Sequence, residues 1–272
     1  MNTIKNNVVR PLGILERIFQ IWHDIDYYYN VGFTIRYKIP INLSLDSSTS
    51  SSISDETKNI ILRILYPTLE KTILKEPSLA VSLTDVYTSN PLFIRLPEID
   101  LSRVIRFVVI NDDEDIKQLL EEEHAKKFNV EDSSIPLWRI IVGIKKSSEE
   151  MRDNWNLLIC IVWHHSIGDG KSALVFYSSF QEFLLEILSK NDNSLKDSSN
   201  ELTSKITLPQ QSATPFCKPL EQCIDLNCSL SFLIKEAFKE FVIPKFLKGK
   251  LLKGCWLGDV PTFSLSDRKS VV

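Results

Sequence analysis

The chain has 272 residues, 43% of them hydrophobic and 25% charged, with a formal net charge of −3. This is ordinary globular composition with enough length for a large core, and it excludes the basic footprint or aromatic–basic stripe that would hold nucleic acid. Five cysteines, an odd number behind an opening with no apolar signal segment, predict free thiols in a reducing, intracellular setting, and no apolar run reaches the length of a membrane span.

In chain order, PLGILERIFQIWHD (11 to 24) places Leu12, Leu15, Ile18, Phe19 and Trp22 at helical spacing, with Pro11 suited to a first turn. GFTIRYKI (32 to 39) alternates and predicts a strand. The Ser-rich stretch 43 to 56 predicts a solvated loop. A helix over 55 to 74 starts near Asp55 and kinks at Pro67. LAVSLTDV, PLFIRL and RVIRFVVI give strand candidates between 79 and 110. The helix predicted over 112 to 128 leads with acids and trails with lysines, as the helix dipole favours, and its charges read best as a solvated face.

IPLWRIIVGI (135 to 144) and WNLLICIVW (155 to 163) are apolar enough to be interior strands, and the short polar connection predicts an adjacent antiparallel pair. Residues 171 to 188 predict a helix with a wide buried face of Leu174, Val175, Phe176, Phe180, Phe183, Leu184, Leu185 and Leu188. The polar stretch 189 to 205 predicts a second loop. Residues 229 to 254 interleave lysines with Phe232, Leu233, Phe238, Phe241, Val242, Phe246 and Leu247. A core helix broken at Pro244 is preferred there over a segment lying on an anionic membrane surface. Cys217, Cys223 and Cys228 lack the spacing of a zinc knuckle.

The chemistry concentrates in LLICIVWHHSIGDGKSALVFY, residues 157 to 177. A strand tip holds its side chains rigidly, where a proton-accepting imidazole can be aimed. If the strand continues through both histidines, His164 and His165 point to opposite faces and only one meets a given cavity. Asp169 follows after a turn, placed to hold His165 or to lock the turn through an arginine. Gly168 and Gly170 permit backbone angles that larger residues resist. Satisfied core histidines, simple turn chemistry, His165 with Asp169 as two ligands of a metal site, and a metal-dependent hydrolase using His164, His165 and Asp169 are the competing readings.

An apolar strand, His-His-x-x-x-Asp-Gly and an amphipathic helix, in that order, resemble the active-site segment of the CoA-dependent acyltransferase superfamily with the chloramphenicol-acetyltransferase-like fold. The opening VRPLGILERIF, through Arg10, Leu12, Gly13, Leu15 and Glu16, resembles the start of the fungal alcohol acetyltransferases. ILRILYPTLEKTI and IPLWRI resemble further elements of that family, so the resemblance covers most of residues 8 to 188.

The resemblance implies an α+β fold: a two-layer mixed or antiparallel sheet with helices, the N-terminal half of the acyltransferase architecture. The expected organisation is 8–188 as that half, 189–215 as a polar linker and 216–272 as a partial crossover or helical tail. His165 is implied as general base, with His164, Asp169 and Gly170 as supporting residues and Asp169 paired with an arginine. No cofactor is resident and no metal is implied. The co-substrate is acetyl-CoA and the acceptor a small alcohol, a sterol or an amine, giving an acetate ester or an amide. The family also implies cytoplasmic residence with peripheral attachment at endoplasmic reticulum or lipid droplets. No counterpart of the second half follows residue 190, so a truncated, catalytically inactive remnant is the rival expectation.

Overall fold

The computed structural model describes residues 7–39, 53–145, 155–190, 202–209 and 214–224, with a few isolated positions beyond. By its contacts the chain divides into Met1–Cys223 and Ile224–Val272. Nearly all of the second unit, including the helix expected within 229 to 254, lies outside the described residues, as do most of the two predicted polar loops.

The first unit is mixed α+β, as expected. Strand β1 (Val8–Pro11) leads into helix α1 (Ile14–Asp24), strand β2 (Val31–Tyr37) and helix α2 (Asp55–Lys75). After a 3-10 turn come β3 (Val81–Thr84), β4 (Leu92–Arg95), β5 (Glu98–Asp100) and β6 (Ile105–Ile110). Helix α3 (Asp113–His124), strands β7 (Trp138–Lys145) and β8 (Leu157–Trp163), helix α4 (Gly170–Lys190), β9 (Lys205–Thr207) and a single turn, α5 (Leu220–Cys223), complete it.

The central sheet has the order β2-β8-β7-β6, antiparallel except for the parallel β6–β7 pair. The predicted β7–β8 pairing is present, in a register that sets Trp138 opposite Trp163. Smaller sheets, β1-β4-β3 and β5-β9, flank it. The two faces of β8 divide the core by the two-residue period of a strand. Leu157, Ile159, Ile161 and Trp163 join the main cluster with α2 and α4, whereas Leu158, Cys160 and Val162 pack toward Ile116 and Leu119 of α3. Burial on both faces explains why β8 is apolar without alternation.

Several local expectations shift. Pro11 ends a strand, because Val8–Pro11 pairs with β4; the first helical residue is Ile14, and the Glu16 carboxylate accepts the Gly13 N–H at 2.6 Å while binding Arg10 through both oxygens at 2.7 Å. Helix α2 runs through Pro67 as one element, capped by Ser54. The buried face of α4 is narrower than predicted: Phe176, Phe180 and Leu184 are buried, but Leu174, Val175 and Leu185 face solvent. Of the stretch expected as a linker, residues 205–207 are strand β9, paired with β5.

The face of helix α1 turned inward is shifted from the expected stripe: of that stripe Ile18, Phe19 and Trp22 are half-buried and Leu15 is exposed. The helix buries Gln20 and His23 and exposes Ile14, Leu15 and Ile21. No helix among the described residues is long and apolar enough to cross a membrane.

Candidate active site

The central sheet delivers the double histidine. Pairing between β7 and β8 extends one residue past the strand end, where the His164 N–H donates to the Leu137 carbonyl at 2.9 Å. That bond fixes His164 on the α3 side of the sheet, in line with Val162. A turn follows at once, closed by the Ile167 N–H on the His164 carbonyl at 3.1 Å. The expected division of the two rings is therefore present, but a turn, not a continuing strand, makes it.

His164 is sealed, with 0% exposure. Its Nδ1 accepts the Ser166 N–H at 3.1 Å and lies 2.7 Å from the Ser166 hydroxyl. An accepting Nδ1 places the proton of the neutral ring on Nε2, which is buried and has no partner among the described residues. Burial, reinforced by the neighbouring His23 and His165, pushes the His164 pKa down to about 3. His23 sits 4.8 Å away between ring centroids, and its Nε2 accepts the Phe128 N–H at 3.1 Å. Burial lowers its pKa too. This cluster holds neutral imidazoles.

His165 stands apart, half-buried. Its ring lies flat on Phe19 of α1, with centroids 3.7 Å apart and planes 9° apart, and Tyr28 leans on it at 5.5 Å. The Nδ1 atom is buried with no hydrogen-bond partner among the described residues. Among the described residues, Phe19 and Tyr28 are the aromatic contacts that orient this ring.

Asp169 is the N-cap of α4. It accepts the Ser172 N–H at 2.9 Å and the Ser172 hydroxyl at 2.8 Å, and its own N–H lies 3.0 Å from that hydroxyl. The Ser172 backbone N–H holds the carboxyl below its ordinary value. No bond to His165 and no arginine partner is present at Asp169 among the described residues; the neighbouring helix terminus takes its place.

Neither Gly168 nor Gly170 occupies the left-handed region, so unusual backbone angles are not their use here. A Cβ on Gly168 would come within 3.0 Å of Trp163 Nε1 and 3.1 Å of Ser172 Cβ, while one on Gly170 would meet only Phe33, at 3.9 Å. Gly168 is the tight position.

Two supports stand behind the site. The fully buried Glu123 receives Arg106 and Arg139 at 2.5 Å and Lys126 at 2.7 Å, tying the end of α3 to β6 and β7. The Tyr177 hydroxyl shares its proton between the carbonyls of Phe33 and Ile159, which pins α4 to β2 and β8. Cys160 is inert, its thiol pushed up to about 12 chiefly by burial. Among the described residues no three His, Cys, Asp or Glu converge as metal ligands.

The sequence reading missed Phe19, Tyr28, His23 and Ser166. A serine two residues after His164 was a usable signal. Phe19 was not, because its spacing assigned it to a core-facing stripe.

The family model for alcohol acetyltransferases matches residues 11–252. The chain belongs to the alcohol acetyltransferase family. It is 26% identical over 223 residues to the probable alcohol acetyltransferase crmB of Aspergillus fumigatus, covering 79% of this chain and 41% of that protein. It is 23% identical over 247 residues to the probable alcohol acetyltransferase FCK4 of Fusarium pseudograminearum, covering 89% and 46%. The chain thus spans less than half the length of these curated relatives. Among solved structures it is similar to the first condensation domain of the calcium-dependent antibiotic synthetase, at 13% identity and a TM-score of 0.45, covering 65% of this chain and 39% of that one.

Proposed function

We propose that this chain carries the histidine-bearing part of an acetyl-transfer site, with His165 as the general base. It takes the proton from an alcohol hydroxyl as that oxygen attacks the thioester carbonyl of acetyl-CoA, giving an acetate ester and free CoA. An amine acceptor would give an amide by the same step. The observation that carries this reading is the contrast between the two rings: His164 is sealed and neutral, while His165 is half-buried and held flat against an aromatic support. Asp169 and Ser172 support the base indirectly, by fixing the start of α4 and with it the turn.

The test follows CoA thiol release from acetyl-CoA with a series of aliphatic alcohols. Alcohol-dependent release that falls by about two to four powers of ten in His165→Ala supports the proposal. His164→Ala, by contrast, should show its effect first on stability. Release unchanged in a folded His165→Ala protein rejects the assignment.

The second reading, a catalytically inactive member, draws on one observation. Among the described residues, the Nδ1 of His165 has no partner for the hydrogen bond that normally orients a catalytic imidazole. A folded sample that releases no thiol with any alcohol supports it.

Peripheral membrane attachment belongs to the same proposal. Ile14, Ile21 and Ile25 of the α1 region are 60%, 53% and 65% exposed, an apolar stripe of the kind that settles into a lipid interface. Flotation with vesicles, compared between the native chain and an Ile14→Ser, Ile21→Ser double variant, tests it.

A further inference from the structure

A pocket lies across β8 from His164, on the α2 and α4 side of the sheet. It has a volume of about 170 Å³. Trp163, Leu79 and Ile167 line it, and Phe176 and Val175 on the first turns of α4 add further apolar wall. Neither His164 nor His165 borders it. An apolar cavity of about 150 Å³ takes one benzene molecule, so this space suits roughly six carbon atoms.

One wall carries charge. Glu76, just past the end of α2, lines the pocket; its Oε1 accepts the Ser179 hydroxyl at 2.7 Å. Its second oxygen has no partner among the described residues. Lys71 and Lys75, the nearby cations on α2, are engaged with Glu186 and Glu182 at 2.7 Å. Gly168 and Cys217 also border the space. Cys217 belongs to the segment that crosses the first unit beside α1, where the Arg10 Nε–H donates to its carbonyl at 2.9 Å.

The geometry points to a binding site for a short, unbranched aliphatic molecule with a hydrogen-bond-donating head, a primary ammonium or a hydroxyl. The chain lies against Trp163, Phe176 and Val175, and the head donates to the free oxygen of Glu76. An ammonium is preferred, because a hydrogen bond between charged groups is the stronger one. A carboxylate head is excluded by repulsion from Glu76. The site is separate from the reaction proposed for His165, and its occupancy does not depend on that reading.

Nuclear magnetic resonance of the full chain tests this directly. The indole N–H signal of Trp163 is assigned by its disappearance in Trp163→Phe. Hexylammonium, 1-hexanol and hexanoate are then titrated separately. Hexylammonium and hexanol should move that signal saturably, with hexylammonium binding more tightly, and hexanoate should not move it. Glu76→Gln keeps an acceptor for Ser179 and should weaken hexylammonium by roughly tenfold while leaving hexanol within a few-fold. Val175→Trp, a change at a residue that is 51% exposed, should fill the space and abolish both. His165→Ala should change none of these affinities, which separates failure of this site from failure of the proposed chemistry. Hexanoate binding as tightly as hexylammonium, shifts that never saturate, or native affinity in Val175→Trp each overturns the assignment. No binding at all, as when the chain's own residues fill the space, overturns it as well.

Discussion

Phe19 lies parallel to His165 with their ring centroids 3.7 Å apart, so a helix near the start of the chain supports the second histidine of the motif, 146 positions later. Nδ1 has no hydrogen-bond partner among the described residues, and this stack and Tyr28 hold the imidazole there. Phe19→Leu keeps an apolar side chain of helical habit but loses the flat contact. The expected outcome is a loss of about tenfold in the turnover of the proposed transfer. Little change is expected in the urea midpoint, and Phe19→Tyr should restore the rate. Full turnover in folded Phe19→Leu would mean that the stack does not position the base.

Glu123 joins three cations from β6, β7 and the end of α3 and is itself 1% exposed. Removing one partner of a buried ion cluster leaves the others uncompensated. Because Arg106 and Lys126 reach solvent, the cost of Glu123→Ala falls at the lower end of the range for buried pairs, about 3 kcal/mol. Glu123→Gln, which retains one acceptor, should cost less. Urea denaturation at neutral pH measures both.

Acid should unfold the protein in two stages. His164 titrates near 3 in the folded chain, against an ordinary 6.5, mainly through burial. Between those values the unfolded chain binds the extra proton, so stability falls as pH drops below about 6.5. His23 and His124, lowered chiefly by burial, act in the same direction. Burial alone would raise Glu123, but hydrogen bonds from Lys126, Arg139 and Arg106 bring it from 4.5 down to about 2. Its contribution is full above 4.5 and is lost as pH falls toward 2. Urea midpoints from pH 7 to 3 should decline across the first window and then more steeply. His164→Gln should flatten part of the first decline and leave the second.

Gly168 and Gly170, on either side of Asp169, should respond oppositely to one added methyl group. Gly168→Ala forces a Cβ into contact with Trp163 and Ser172 at 3.0 and 3.1 Å, an overpacking cost of about 1–3 kcal/mol. Gly170 is the first residue of α4 with room around it, so Gly170→Ala should be neutral or stabilising by a few tenths of a kcal/mol. Thermal unfolding of the pair checks the contrast.

Asp169→Ala removes an N-cap and should cost about 1 kcal/mol, whereas Asp169→Asn, which still accepts from Ser172, should cost less. If Asp169 instead acted on His165 through charge, the asparagine variant would lose activity out of proportion to its small loss of stability. Comparing turnover with unfolding midpoints in both variants separates the two roles.

The alternation and apolar runs of this chain determined six strands (β2, β3, β4, β6, β7 and β8), the four helices α1 to α4, the β7–β8 pair and the strand–turn–helix that carries the histidines, because these follow from local periodicity and short connections; β1, β5 and β9, three or four residues each, lie outside such patterns. They also marked His164 and His165 as rings on different faces. Only the tertiary structure decided which ring is sealed, since that depends on the Leu137 carbonyl, His23 and Phe128 arriving from other elements. It also decided that α1 turns Gln20 and His23 inward and Ile14 and Ile21 outward. A helical moment specifies that a helix has two faces; which one is covered is set by what packs there, and no local pattern encodes that.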